Sequence, residues 1–250
     1  MRLRALLFRI YWALQKRIAP GLRYSQALYE EMLASHVDRE TTWLDLGCGH
    51  QILPAWRAEQ EKELVQRSQR VVGIDADRPS LLKHRTLKLK IAGNIGRLPC
   101  PPQTFSLVTA NMVVEHLDAP AAQFAEIARV LKPGGVFILH TPNRRGYATI
   151  AARLIPNAIK KKLVYLIEGR KPADVFDTFY RANSKEDIEK LAEAAGFTVQ
   201  RLRLAVTSAE LAVIPPLVIF ELLWIRLLMT RRLKPLRSTI IAVLQRKASV

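Results

Sequence analysis

The segment Trp43-Leu44-Asp45-Leu46-Gly47-Cys48-Gly49 puts a carboxylate at the end of a β-rich run and two glycines in the turn that follows. Without side chains at Gly47 and Gly49, the backbone can come close to a bound nucleoside or amino-acid moiety. Ile52 stands where a dinucleotide-binding GxGxxG pattern would need its third glycine, so that pattern fails. A second β-rich run, Val71-Val72-Gly73-Ile74-Asp75, ends in another carboxylate 26 positions beyond Gly49. An acid at the tip of a second strand can accept hydrogen bonds from both hydroxyls of a ribose. Asp77, two positions on, is the competing acid. A purely structural tight turn would explain the glycines alone, but not the second carboxylate at this spacing.

These residues need a scaffold that holds strand ends side by side. From residue 42 onward β-rich runs alternate with helical stretches: 43–46, 71–74, 87–92, 105–110, 136–140 and 199–204, with a last strand at 239–244. Such alternation describes a parallel sheet covered by helices. A helix is expected over 119–131, stopped by Lys132-Pro133-Gly134-Gly135, which turns the chain into the fifth strand. Ser184 and Asp187 form a capping-box-like start to another helix, and Gly196 ends it. Four segments follow: 1–40, helical; 41–204, the core; 205–238, an apolar and basic helical insertion; 239–250, the last strand and tail.

At the N-terminus, Leu3, Leu6, Leu7, Ile10, Tyr11, Leu14 and Ile18 follow an amphipathic helical stripe ended by Pro20-Gly21, with Phe8 and Trp12 outside it. Arg9, Lys16 and Arg17 interrupt any secretory apolar stretch, so this start reads as retained. In the insertion, 211–229 is strongly apolar, but its longest charge-free run is 211–220 and Pro215-Pro216 breaks it. That is well short of the ~18 residues of a spanning helix. A broken, re-entrant or surface-lying helical pair is expected rather than a transmembrane span.

The chain has 250 residues, with 39 Lys+Arg against 22 Asp+Glu and a net charge of +17. Residues 1–23 carry six basic side chains and 226–250 carry seven, and neither stretch contains an acid. A nearly neutral core with basic ends points to an anionic surface, either phospholipid or nucleic acid. The two cysteines, Cys48 and Cys100, have no metal-binding or disulfide-scaffold spacing.

Together with Leu98-Pro99, Phe105-Ser106-Leu107-Val108, Val114-Glu115-His116 and Leu131-Lys132-Pro133-Gly134-Gly135, these motifs resemble the class I S-adenosylmethionine (SAM)-dependent methyltransferases. The type 11 family, with its ubiquinone and menaquinone methylases, is the branch they resemble most, over residues 40–204 and the strand near 239–246. The resemblance implies a Rossmann-like, seven-stranded, mostly parallel sheet and SAM as cofactor. It implies that Asp45, Gly47 and Gly49 hold the methionine part and Asp75 the ribose, with Cys48 and Ala76 beside them in the two turns. Asn94, where the family usually has Asp, would face the adenine amino group through its side-chain oxygen. Ile95 would flank the adenine and Asn111 would close the site. Gln51 and Ser106 depart from the family's frequent Gly and Asp.

Methyl transfer demands positioning and, for a hydroxyl acceptor, removal of a proton. His116 is the candidate base; capping the next helix or bonding the backbone is its structural alternative. His140 and Tyr180 are weaker candidates for the acceptor side, and Met112 stands where a metal-holding acid would be, which disfavours a metal. The expected activity is methyl transfer, to oxygen, on a small or lipid-linked acceptor at the cytoplasmic face of a membrane, with the apolar insertion and Arg231-Arg232-Lys234 docking on anionic lipid. The insertion could instead cover the core or form a dimer interface. An RNA-directed enzyme is disfavoured, because aromatics do not interleave with the basic clusters. A membrane-associated SAM-binding protein without catalysis is the third reading.

Overall fold

The computed structural model describes residues 2–154, 177–212 and 214–248. Most of the connection after the fifth strand, 155–176, lies outside them. Elements run α1 (Arg2–Ile18), α2 (Ser25–Ala34), β1 (Thr42–Leu46), α3 (Ala58–Arg67), β2 (Arg70–Asp75), α4 (Arg78–Leu82), β3 (Leu89–Ala92) and β4 (Phe105–Asn111). They continue with α5 (Pro120–Val130), β5 (Leu131–Pro142), α6 (Tyr147–Leu154), α7 (Lys185–Ala194), β6 (Phe197–Ala205), α8 (Pro215–Leu228) and β7 (Thr239–Arg246). One seven-stranded sheet has the order β3-β2-β1-β4-β5-β7-β6. The pairs β3–β2, β2–β1, β1–β4 and β4–β5 are parallel. The expected α/β architecture is therefore present, with the N-terminal helix and a helix before the last strand.

Burial on both faces explains the composition of the central strands: all five residues of β1 are buried. In α7, the Ser184 side chain accepts from the Asp187 N–H at 3.1 Å, and Gly196, at φ +80°, takes the left-handed conformation past the helix end.

Chain contacts fall into two compact units. One takes 29–141, 178–203 and 240–250, and so holds β1–β4 and nearly all of β5–β7. The other gathers the described residues of 1–28, 142–177 and 204–239, including α1, α6 and α8. Its own core packs Tyr11 and Ala19 with Val206, Ala209, Val218, Leu222, Ile225 and Leu228.

Three expectations need correction. Lys132-Pro133-Gly134-Gly135 does not separate helix from strand: β5 begins at Leu131, which pairs with Phe105, and pairing resumes at Leu107 with Val136. The four residues form an irregularity inside the strand, with Gly134 at φ +77°. β3 begins at Leu89, because the N–H groups of Thr86 and Leu87 turn to His84 Nδ1 at 3.3 and 3.2 Å. The α1 stripe is rotated: Leu6 and Ile10 are exposed, Tyr11 and Gln15 are buried, and Phe8 joins the core.

Candidate active site

The carboxyl ends of β1–β5 lie side by side within the first unit, and the expected ligand residues stand on or just beyond them. Gly47 and Gly49 have φ values of +63° and +51°, so the turn after β1 is left-handed at both glycines. A Cβ on Gly47 would come within 2.5 Å of Val113 Cγ2, whereas one on Gly49 would meet nothing within 4 Å. Gly47 thus serves packing on the segment after β4, and Gly49 faces open space.

Asp75 ties this turn to β2. Its carboxylate accepts from the Gly49 N–H at 2.8 Å through one oxygen and from the Asp77 N–H at 2.7 Å through the other. The carboxylate is half-buried, and the remaining lone pairs of its two oxygens can accept from a diol. The competing acid, Asp77, accepts from Ser80 Oγ at 2.5 Å at the start of α4. Ala76 between them is exposed.

Asp45 is placed differently from the glycines that follow it. It is 3% exposed and accepts from Thr109 Oγ1 at 2.5 Å, and Thr109 in turn accepts from Trp43 Nε1 at 2.6 Å. Burial pushes its pKa up to about 8, against the pull of the Thr109 hydrogen bond and with help from the charges of Glu61 and Asp75. Its carboxyl therefore braces β1 against β4. Cys48 is buried, its N–H bonded to Ile74 O at 3.2 Å, and burial raises its thiol pKa.

Asn94 is exposed beyond β3, its Oδ1 accepting from the Gly96 N–H at 2.7 Å, with half-buried Ile95 beside it. Asn111 Oδ1 accepts from His140 Nδ1 at 2.8 Å across β4 and β5. His140 is 3% exposed and stacks on Tyr29 at 5.6 Å. Burial pushes its pKa down to about 4, so it is a neutral, enclosed ring.

Residues 15–202 match the family described as a methyltransferase domain. The chain belongs to that family. Among relatives of this methyltransferase, one from Mycolicibacterium smegmatis, described as a "probable S-adenosylmethionine-dependent methyltransferase", is 28% identical over 196 residues, covering 74% of this chain and 65% of its own length. A ubiquinone biosynthesis O-methyltransferase of Saccharophagus degradans is 28% identical over 152 residues, covering 57% of this chain and 61% of its own. The chain thus spans less than two thirds of the length of each. A SAM-dependent methyltransferase of known structure from Mesorhizobium loti superposes with a TM-score of 0.56 at 16% identity, over 88% of this chain and 97% of the other, a likeness of fold. The fold and family are those of class I methyltransferases, and SAM is the cofactor. The open turn at Gly49 and the diol-ready carboxylate of Asp75 fit that group.

The segment after β4, with the Val114-Glu115-His116 motif, is tied to the end of β5 and to the start of α7 by long-range hydrogen bonds. Glu115 is buried in the short 3-10 turn Val114–His116 and accepts from Thr141 Oγ1 at 2.9 Å, while Asn183 Nδ2 donates to Thr141 at 2.7 Å. The Glu115 carbonyl accepts from the N–H groups of Phe179 and Tyr180 at 2.8 and 3.2 Å. Tyr180, at φ +52°, is thereby brought to the turn that carries half-buried His116. His116 does not cap α5, whose N-cap is Ala119. Met112, at φ +57°, is 43% exposed next to Asn111.

Both departures from the family pattern have structural partners. Gln51 Oε1 accepts from Arg85 Nη1 at 3.0 Å, and Arg85 also pairs with buried Glu61. Ser106 lies at the opposite end of the sheet, where its hydroxyl accepts from the Thr42 N–H at 3.0 Å.

Proposed function

We propose that this methyltransferase moves a methyl group from SAM to an oxygen of a small or lipid-linked acceptor at the cytoplasmic surface of a membrane. The observation that carries the cofactor part is the Asp75 carboxylate, pinned by the N–H groups of Gly49 and Asp77 where a ribose diol would approach. The sulfonium of the bound cofactor supplies an electrophilic methyl group. Gly49 leaves room for the methionine end, Asn94 and Ile95 flank the adenine, and Asn111, with Cys48 and Ala76 in the adjoining turns, completes the enclosure. Asp45 acts through the β1–β4 brace. His116 accepts the proton of the attacking hydroxyl, and Tyr180, held on the same turn, positions the acceptor.

Oxygen as the acceptor atom, and a lipid-like acceptor, are supported by the relative named for ubiquinone biosynthesis and by the basic ends. The test is incubation of the full chain with SAM and extracted membrane lipids, followed by mass spectrometry of S-adenosylhomocysteine and of lipid products. A lipid that gains one methyl group on oxygen supports the reading. Turnover on RNA, or none on any lipid fraction, contradicts it.

A further inference from the structure

A helix packed on a globular core needs apolar side chains on one face only. α8 carries them on both. Its inward residues Val218, Leu222, Ile225 and Leu228 are at most 1% exposed. On the opposite side Ile219, Phe220, Leu223 and Leu227 are between 39% and 71% exposed. Their spacing makes one continuous stripe along the helix.

The charges around this stripe are sorted. The one acid of α8, Glu221, is turned inward, where it accepts from the N–H groups of Glu210 and Leu211 at 2.9 and 2.8 Å and from the Tyr147 hydroxyl at 2.7 Å. From 222 to 250 there is no acid, while Arg226, Arg231, Arg232 and Lys234 are exposed. Arg9, Lys16 and Arg17 of α1, which packs on α8, are exposed as well. A second copy of the chain seated on the stripe would bring these cations against their own kind. An anionic leaflet offers hydrocarbon for the stripe and phosphates for the cations in one surface.

We infer that the outward face of α8 is a docking surface for an anionic phospholipid bilayer, with Phe220, Leu223 and Leu227 in the acyl boundary and Arg231, Arg232 and Lys234 on lipid phosphates. The helix lies in the plane of the interface. Its 14 residues extend about 21 Å, less than the ~30 Å hydrocarbon core, and among the described residues no helix is long and apolar enough to cross a membrane. This inference rests on the reading that the acceptor is met at a membrane, and names the surface that meets it.

The experiment is flotation of the full chain with vesicles of phosphatidylglycerol and phosphatidylcholine, beside vesicles of phosphatidylcholine alone, with S-adenosylhomocysteine binding measured on every variant. Wild type should float with the anionic vesicles and lose most of that binding in high salt. The double variant Phe220→Ser, Leu223→Ser should partition at least tenfold more weakly. Arg231→Gln, Arg232→Gln, Lys234→Gln, which touches only exposed side chains, should weaken anionic binding by about a hundredfold and leave S-adenosylhomocysteine affinity unchanged. Wild type remaining in the soluble fraction overturns the docking surface, as does flotation that neither variant diminishes. So does a soluble dimer that the Phe220 and Leu223 changes dissociate, since it would make a second copy the occupant. S-adenosylhomocysteine binding that persists through any of these keeps the cofactor assignment separate from the failure of docking.

Discussion

Gly49 and Asp75, 26 positions apart, are joined by a 2.8 Å hydrogen bond from the backbone N–H of one to the carboxylate of the other. The bond links the turn after β1 to the tip of β2, so the glycine turn and the Asp75 carboxylate are set by a single contact. Hydrogen bonds to a charged acceptor are worth about 1.5–3 kcal/mol each, enough to keep this geometry in place before any ligand arrives.

The two glycines of the turn should differ on substitution. Gly49→Ala meets no atom and should cost only the left-handed backbone penalty, about 1–2 kcal/mol. Gly47→Ala adds the collision with Val113 and should cost about 1–3 kcal/mol more, part of which Val113→Ala restores. Urea unfolding of the three variants measures both differences.

Asp45 should make stability fall with rising pH. Its pKa is raised to about 8, so between the unfolded value of ~3.9 and 8 the folded state binds the extra proton. Stability from this group is present below that window and declines as pH rises through it, by a few kcal/mol in order of magnitude. His140, lowered to about 4, acts in the opposite sense below pH ~6.5. Comparing denaturant midpoints of wild type and Asp45→Asn from pH 4 to 9 isolates the aspartate: the variant should be the flatter and, above pH 8, the more stable.

With His116 as the proposed base, His116→Gln should lower turnover on a hydroxyl acceptor by about 10²-fold or more and leave S-adenosylhomocysteine affinity unchanged. Steady-state rates beside a binding titration separate the two. Equal loss of both would place His116 in the cofactor site instead.

The meeting of the Gly49 turn with Asp75 was legible in the sequence because these residues sit in two short runs with a fixed gap, and parallel pairing of β1 with β2 brings those ends together automatically. Buried strands with uninterrupted apolar runs were equally visible. Lys132-Pro133-Gly134-Gly135 misled because a Pro-Gly-Gly run reads locally as a stop, while pairing of Leu131 with Phe105 requires the partner strand to be known. The rotation of α1 is set by Tyr11, whose hydroxyl accepts from the Ala209 N–H at 3.2 Å and bonds Tyr24 at 3.0 Å. Neither partner is within reach of a helical periodicity. The partners of Glu115, itself in a recognised motif, escaped for the same reason: Thr141 lies 26 positions on and Asn183 a further 42, on separate elements.

Glu221 should prove costly to remove although it is an acid in an apolar helix. Glu221→Ala leaves the N–H groups of Glu210 and Leu211 without their acceptor and should destabilise by about 2–4 kcal/mol. Glu221→Gln keeps one oxygen and should cost about 1 kcal/mol. Denaturant titration of the pair distinguishes a bonded anchor from a solvent-facing charge, for which both changes would be near neutral.

Calorimetric titration with S-adenosylhomocysteine, wild type against Asp75→Ala, bears most directly on the cofactor site. Micromolar binding in the wild type that weakens about a hundredfold or more in a folded Asp75→Ala variant is expected, from the loss of hydrogen bonds between a charged acceptor and the ribose hydroxyls. A folded wild-type protein that binds nothing, or an Asp75→Ala variant that binds as tightly as wild type, would contradict the assignment of this carboxylate and of the cleft built around it.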